Sequence, residues 1–245
     1  MPNVIKTGPD AVTDKENLKV LLYGSTGTGK TYALKTMPAS WRPALILDCD
    51  SGSRALWNES ELGDIVTFDS ADKNSKPILY TQVCDYLSKV HGTEHGYKTL
   101  VMDSFTLLHQ AIQSHVISEA VVDFKAKRST SNEPPTLPEY GIITHLAMKF
   151  VQALIQMNLN LIVICHEAIV ITDEASGLSR AGPALTPKLA TVLPRYFDEV
   201  LYSKVKGKGD NRVYSWLTQS TGMYEARTRS GVKPEIPQDF SIYEQ

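Results

Sequence analysis

At 245 residues, with 42% apolar and 21% charged residues, the chain suits one α/β domain with a sizeable core. Its net charge of −2 excludes a globally basic nucleic-acid binder, so any DNA contact must come from a local patch. Cys49, Cys84 and Cys165 show neither C-x-x-C pairing nor zinc-site spacing and read as reduced thiols, and no window has the apolar length of a signal core or membrane span. The expectation is a cytoplasmic protein with no membrane association.

Residues 1–16 are polar and read as a loose arm. Val20-Leu21-Leu22-Tyr23 predicts a buried strand. It runs into Gly24-Ser25-Thr26-Gly27-Thr28-Gly29-Lys30-Thr31, a complete phosphate loop of the form G-x-x-x-x-G-K-[ST]. Residues 31–37 then predict a helix stopped by Pro38. A second buried strand at 44–47 ends in Asp48-Cys49-Asp50, and a shorter one covers 65–68. Leu79, Val83, Tyr86, Leu87 and Val90 mark one face of a helix over 77–90. A fourth strand at 99–102 runs into Asp103, followed by a helix over 105–122. The stretch 123–139 is rich in Ser, Thr, Asn and Pro and reads as a mobile loop. Ile142, Ile143, Leu146, Phe150, Val151, Leu154 and Ile155 trace the stripe of the next helix, and a fifth strand at 161–164 closes on Cys165-His166-Glu167.

Strands alternating with helices imply a parallel sheet covered on its faces. Beyond residue 168 the pattern changes to shorter strands at 168–172, 199–205, 213–218 and 223–228, with a Gly-rich turn over 206–211. These read as antiparallel additions to the same sheet. The expected organisation is an arm at 1–16, a core domain at 17–230 and a C-terminal tail at 231–245.

The phosphate loop explains its own residue types. Glycines let the backbone curl so that successive N–H groups face phosphate oxygens, and a helix N-terminus adds its positive dipole end. Gly24, Ser25, Thr26, Gly27, Thr28, Gly29, Lys30, Thr31 and Tyr32 are therefore the candidate nucleotide-binding residues. Lys30 reaches the β- and γ-phosphates and the Thr31 hydroxyl ligates Mg²⁺. The metal's carboxylate partner is expected at the end of a buried strand beside the loop, where Asp103 stands; the alternative is an aspartate that caps the following helix. Asp48 and Asp50 lie two apart on an extended chain and point the same way, so either can face the γ-phosphate to activate water, or both are solvated loop carboxylates. His166 either senses the γ-phosphate or is structural. Cys49 and Cys165 read as small packing residues. There is no N-K-x-D or T-K-x-D guanine motif and no L-S-G-G-Q signature, which argues against a GTPase and a transporter-type ATPase.

The order of strand, G-S-T-G-T-G-K-T, a strand ending L-D-C-D, a strand reading L-V-M-D-S-F and a strand ending I-C-H-E resembles the ATPase core of RecA-type recombinases. More closely, it is similar to the RecA-like phage proteins classed as Sak-type single-strand annealing proteins or phage AAA-family nucleotide-binding proteins. The resemblance covers about residues 17 to 230. It implies a DNA-dependent ATPase that uses ATP and Mg²⁺ and assembles on single-stranded DNA as a ring or filament, in the cytoplasm of a phage-infected host. A phage or host single-strand-binding protein is a further expected partner. Lys30, Asp50, Asp103 and His166 are its catalytic candidates, with Asp50 at the position of the RecA-type catalytic glutamate and one methylene shorter. DNA contacts fall on two loops, 123–139 with Lys125, Lys127 and Arg128, and 172–183 with Arg180. Phe124 and Tyr140 flank the first loop as stacking candidates. Lys204, Lys206, Lys208, Arg227 and Arg229 are candidates to act on a neighbouring subunit's site. Two other functions fit the same loop: a P-loop kinase of a small acceptor, and a loader protein that binds ATP without hydrolysing it.

Overall fold

The computed structural model describes residues 17–91, 93–122, 134–173 and 178–244. Strands β1 (Lys19–Gly24), β2 (Ala44–Asp48), β3 (Gly63–Thr67), β4 (Thr99–Asp103) and the first half of β5 (Asn160–Asp173) pair in parallel. The sheet continues through β7 (Glu199–Lys206), parallel to β1, and then β8 (Val213–Leu217) and β9 (Glu235–Pro237), both antiparallel, giving the order β3-β2-β4-β5-β1-β7-β8-β9. The second half of β5 leaves this sheet and forms a hairpin with β6 (Leu178–Pro183). This is the expected α/β architecture, a mainly parallel sheet flanked by helices, with antiparallel strands on the C-terminal side.

The central strands are buried throughout, so their side chains serve two faces by strict alternation. Leu21, Tyr23, Leu45, Leu47, Leu100, Met102, Leu161 and Val163 face one core, beneath α1 (Leu79–His91), α2 (Phe105–Val122) and α3 (Leu137–Gln156). The intervening residues Val20, Leu22, Ile46, Val101, Ile162 and Ile164 face the other. No long helix covers that second face among the described residues. Short 3₁₀ turns at Tyr32–Thr36, Ala39–Trp41 and Ser53–Leu56 cover it, together with the C-terminal turn Phe240–Tyr243. The helix expected over 31–37 is thus a single tight turn, because Pro38 halts it before a second turn can form.

The segment expected as a tail is part of this core. Ile236, Phe240 and Tyr243 are buried, and Phe240 packs against Trp216 and Trp41. Each such apolar side chain contributes roughly 1.5–3 kcal/mol. Three further expectations change. Residues 137–139 are helical, started by Thr136, whose hydroxyl and backbone N–H both meet the Glu139 carboxylate in a capping box, with Pro138 in the first turn. On α3 the buried apolar positions are Ile143, Ala147, Phe150, Val151 and Leu154, while Ile142 is 50% exposed. Residues 223–228 make only isolated bridges, from Tyr224 to Ala181 and from Arg227 to Val200. No helix among the described residues is long and apolar enough to cross a membrane.

Candidate functional site

Sheet register sets the site. Gly24 stands opposite His166, and Asp48 opposite Asp103, so β1, β5, β4 and β2 end in one polar row. The residues that follow β1 form the phosphate loop, with Gly27 at φ +79° and Gly29 at φ +86°, left-handed conformations that favour glycine. Ser25, Thr26 and Gly27 are exposed, whereas Thr28 and Lys30 are buried. The Thr28 hydroxyl donates to the Ser25 carbonyl at 2.8 Å and closes the loop. Tyr32 is 61% exposed, with the Lys35 ammonium 4.6 Å from its ring centre.

The Lys30 ammonium donates to the carbonyls of Gly24 and Ser25, both at 2.8 Å. Burial lowers its pKa, and Asp103, Cys165, Glu167 and Asp50 oppose that shift. A buried cation held by neutral carbonyls in a glycine-rich loop suits an anion, and a phosphate chain is the anion this motif fits.

The Thr31 hydroxyl donates to Asp103 Oδ2 at 2.6 Å. Burial raises the Asp103 pKa to about 7; the Thr31 hydrogen bond pulls it down, Asp50 and Asp48 push it up, and Lys30 lowers it. The pair Thr31 and Asp103 fits a hydrated Mg²⁺ ligated mainly by substrate phosphates. No group of three or more His, Cys, Asp or Glu side chains among the described residues forms a complete metal cage.

The two aspartates at the end of β2 differ in their surroundings. Asp48 is 2% exposed and accepts from the backbone N–H groups of Asp50 and Gly52 (3.2 Å each) and Ser53 (3.1 Å). It is the structural member, shaping the turn. Among the described residues, Asp50 accepts only from the Gly52 N–H at 2.9 Å and turns its other oxygen toward His166 Nε2, 3.5 Å away. His166 is fixed through its backbone, its N–H donating to the Thr106 hydroxyl at 3.0 Å. Glu167 accepts a short hydrogen bond from the Ser25 hydroxyl. Cys49 and Cys165 are buried, and burial pushes both thiols up to about 12, consistent with packing roles.

An AAA domain family matches residues 16–230. The chain belongs to that family. None of the curated proteins compared matches the sequence. Among solved structures, a KaiC-like protein from the hyperthermophilic archaeon Pyrococcus horikoshii OT3 is similar at 18% identity over 91% of this chain and 85% of that chain, with a TM-score of 0.47. By the family match, the site is that of an AAA-type P-loop nucleotide-binding domain.

The remaining candidates in this AAA domain divide by position. Lys125, Lys127, Arg128 and Phe124 lie outside the described residues. Arg180 is exposed on β6, beside β5. Tyr140 is on α3, 38% exposed. Lys204 and Lys206 leave the carboxyl edge on β7 and both meet Glu235, at 2.8 and 3.5 Å. Arg227 and Arg229 are bound within the fold. The Arg227 guanidinium donates to the carbonyls of Pro194 and Phe197, and Arg229 pairs with Asp198 at 2.7 Å. Both sit near the opposite end of β7 from the phosphate loop of their own chain.

Sequence reading missed a group behind the loop. The Thr28 carbonyl accepts from Ser203 Oγ at 2.9 Å and from Gln238 Nε2 at 2.8 Å, and the Tyr214 ring lies against Gly29. These residues belong to β7, the segment after β9, and β8. They follow no motif, and only tertiary pairing brings them to the loop.

Proposed function

We propose that this domain binds ATP with Mg²⁺, hydrolyses it, and assembles as a homo-oligomer on single-stranded DNA in recombination or strand annealing. The observation that carries the reading is the Asp50–His166 contact at 3.5 Å. It joins the less constrained carboxylate of the site to the strand that continues into the β5–β6 hairpin.

The loop's backbone donors and Lys30 bind the triphosphate, the Lys30 ammonium exchanging carbonyl partners for phosphate oxygens. Thr31 and Asp103 would hold Mg²⁺, which supplies neutralisation of charge on the β- and γ-oxygens. Asp50 orients a water for in-line attack at the γ-phosphorus and takes its proton as the bond to the bridging oxygen breaks. An aspartate reaches less far than a glutamate, so turnover is slow. His166, beside Asp50, passes the state of the site along β5 to the hairpin bearing Arg180. One subunit offers few cations, so DNA affinity depends on several subunits acting together.

The test is ATP turnover with and without single-stranded DNA, read beside oligomeric state. Lys30→Ala is expected to lower ATP affinity about a hundredfold, or roughly 2.7 kcal/mol, without changing the fold. Asp50→Asn is expected to retain ATP binding and lose turnover. Absence of DNA binding by the wild type at low salt, with or without ATP, would sink the recombination reading. DNA-independent phosphoryl transfer to a small acceptor would replace it with the kinase.

A further inference from the structure

We propose that Gln238 is a positioning residue for the phosphate loop, locking from the C-terminal segment the peptide that aims a backbone donor at bound pyrophosphate. The proposal rests on the nucleotide reading of the loop and concerns how the loop is held in its binding shape.

The argument starts from peptide planarity. The carbonyl of Thr28 and the N–H of Gly29 belong to one rigid unit and point in opposite directions. That carbonyl is held by two donors, Ser203 Oγ at 2.9 Å and Gln238 Nε2 at 2.8 Å. Pinning it toward β7 and β8 turns the Gly29 N–H the other way, to the side of the loop away from those strands. Gln238 Nε2 is itself fixed by Ser203 Oγ at 2.7 Å and by the Ser215 carbonyl at 3.3 Å. Its Oε1 lies against Gly29, where a Cβ would come within 2.7 Å of it, and the Tyr214 ring closes the same side at 3.1 Å. A loop with glycines at 24, 27 and 29 is soft by composition. The lock removes that softness at the one peptide between Thr28 and Gly29.

The lock is attached to firm structure. Ile236, two residues before Gln238, is buried and pairs with Trp216. Two residues after it, the Phe240 N–H donates to the Thr36 hydroxyl at 2.8 Å. The C-terminal segment therefore grips the nucleotide-binding stretch at residue 28 and again at residue 36. Burial of Ile236, Phe240 and Tyr243 docks the segment; Gln238, half-buried and polar, adds direction.

Binding of ATP and of inorganic pyrophosphate is measured by calorimetry for wild type, Gln238→Met and Ser203→Ala, with urea midpoints and amide hydrogen exchange of the free proteins. Methionine keeps the length of glutamine and donates no hydrogen bond. Both variants are expected to bind ATP and pyrophosphate about tenfold more weakly, the scale of one buried hydrogen bond. Amide exchange should rise over residues 24–31 and stay unchanged over β1 and β8. Unchanged affinity in a folded variant overturns the proposal. So does a loss for ATP that spares pyrophosphate, or a loss accompanied by faster exchange throughout the sheet. If Gln238→Met does not fold, Ser203→Ala decides by the same criteria. A wild type that binds neither probe refutes the nucleotide reading itself, an outcome distinct from equal binding by wild type and variants.

Discussion

The parallel and antiparallel halves of the sheet use polar residues in opposite ways. In the parallel half, β1, β2, β4 and β5 each deliver a polar or flexible residue to the carboxyl edge: Gly24, Asp48, Asp103 and His166. Residues beside that edge have spare capacity. Among the described residues, Asp50 has one backbone hydrogen bond and a 3.5 Å contact, and the Lys30 ammonium donates to two carbonyls. In the antiparallel half the polar groups bond to one another. Glu235 gathers Lys204, Lys206 and Ser215; Gln238 gathers Thr28, Ser203 and Ser215. Chemistry is placed where bonds remain to be made, and rigidity where they are complete.

Glu199 offers the hardest test of that contrast, because it sits at the join. It is fully buried on β7 beside β1, and one carboxylate oxygen accepts from the Thr228 and Ser230 hydroxyls and from the Arg229 and Ser230 backbone N–H groups. The other oxygen faces the Tyr243 hydroxyl at 3.2 Å. Glu199→Ala orphans all of these donors, and a loss of about 4 kcal/mol is expected, since each buried unsatisfied donor costs roughly 1–3 kcal/mol. Urea unfolding reads the effect. A loss below about 1 kcal/mol would show that the antiparallel half is not held by its internal polar bonds.

Legibility followed the same division. The parallel half could be read because buried strands are continuous apolar runs and the phosphate loop is a contiguous motif whose spacing carries its chemistry. Asp103 could be placed by its position at a strand end. The capping box of Thr136 and Glu139 was also present in the sequence, as T-x-x-E, but sat inside a stretch whose Ser, Asn and Pro content suggested a loop. The antiparallel half was harder. β9 is three residues long, and the role of Gln238 depends on register across β7, β8 and β9, which no local pattern encodes. Asp48 and Asp50 share a residue type and a facing direction, so only the count of backbone N–H groups around each separates them.

A second prediction moves to the helical cover of the parallel half. His109 on α2 is buried, and its Nε2 has no hydrogen-bond partner among the described residues. Burial lowers its pKa from 6.5 to about 4. The unfolded chain therefore takes up a proton below pH 6.5 that the folded protein refuses until about pH 4. The contribution is fully present above pH 6.5 and is lost as pH falls through that window, amounting to about 3 kcal/mol at its lower end. Across urea midpoints measured from pH 7 to pH 4, the wild type should lose stability relative to His109→Gln as pH falls. Parallel curves would show that the imidazole is protonated without cost.

The smallest expected effect separates the two aspartates and tests whether spare bonding capacity marks function. Asp48 is an acceptor for three backbone N–H groups in the turn after β2. In Asp48→Asn the amide keeps one acceptor oxygen and turns a donor toward the remaining N–H groups. A stability loss of about 2 kcal/mol is expected, with ATP turnover falling only as far as the turn loosens. Asp50→Asn retains an acceptor for its single partner, the Gly52 N–H, so its stability should change by less than about 0.5 kcal/mol. Its turnover should nonetheless be lost, because an amide accepts no proton from water at the γ-phosphate. Stability and rate thus move in opposite order for two neighbours of the same type. If Asp50→Asn hydrolyses ATP normally while Asp48→Asn or Glu167→Gln is inactive but folded, the water-activating role belongs to that other carboxylate. The 3.5 Å contact with His166 would then be a structural contact of the loop rather than part of the chemistry.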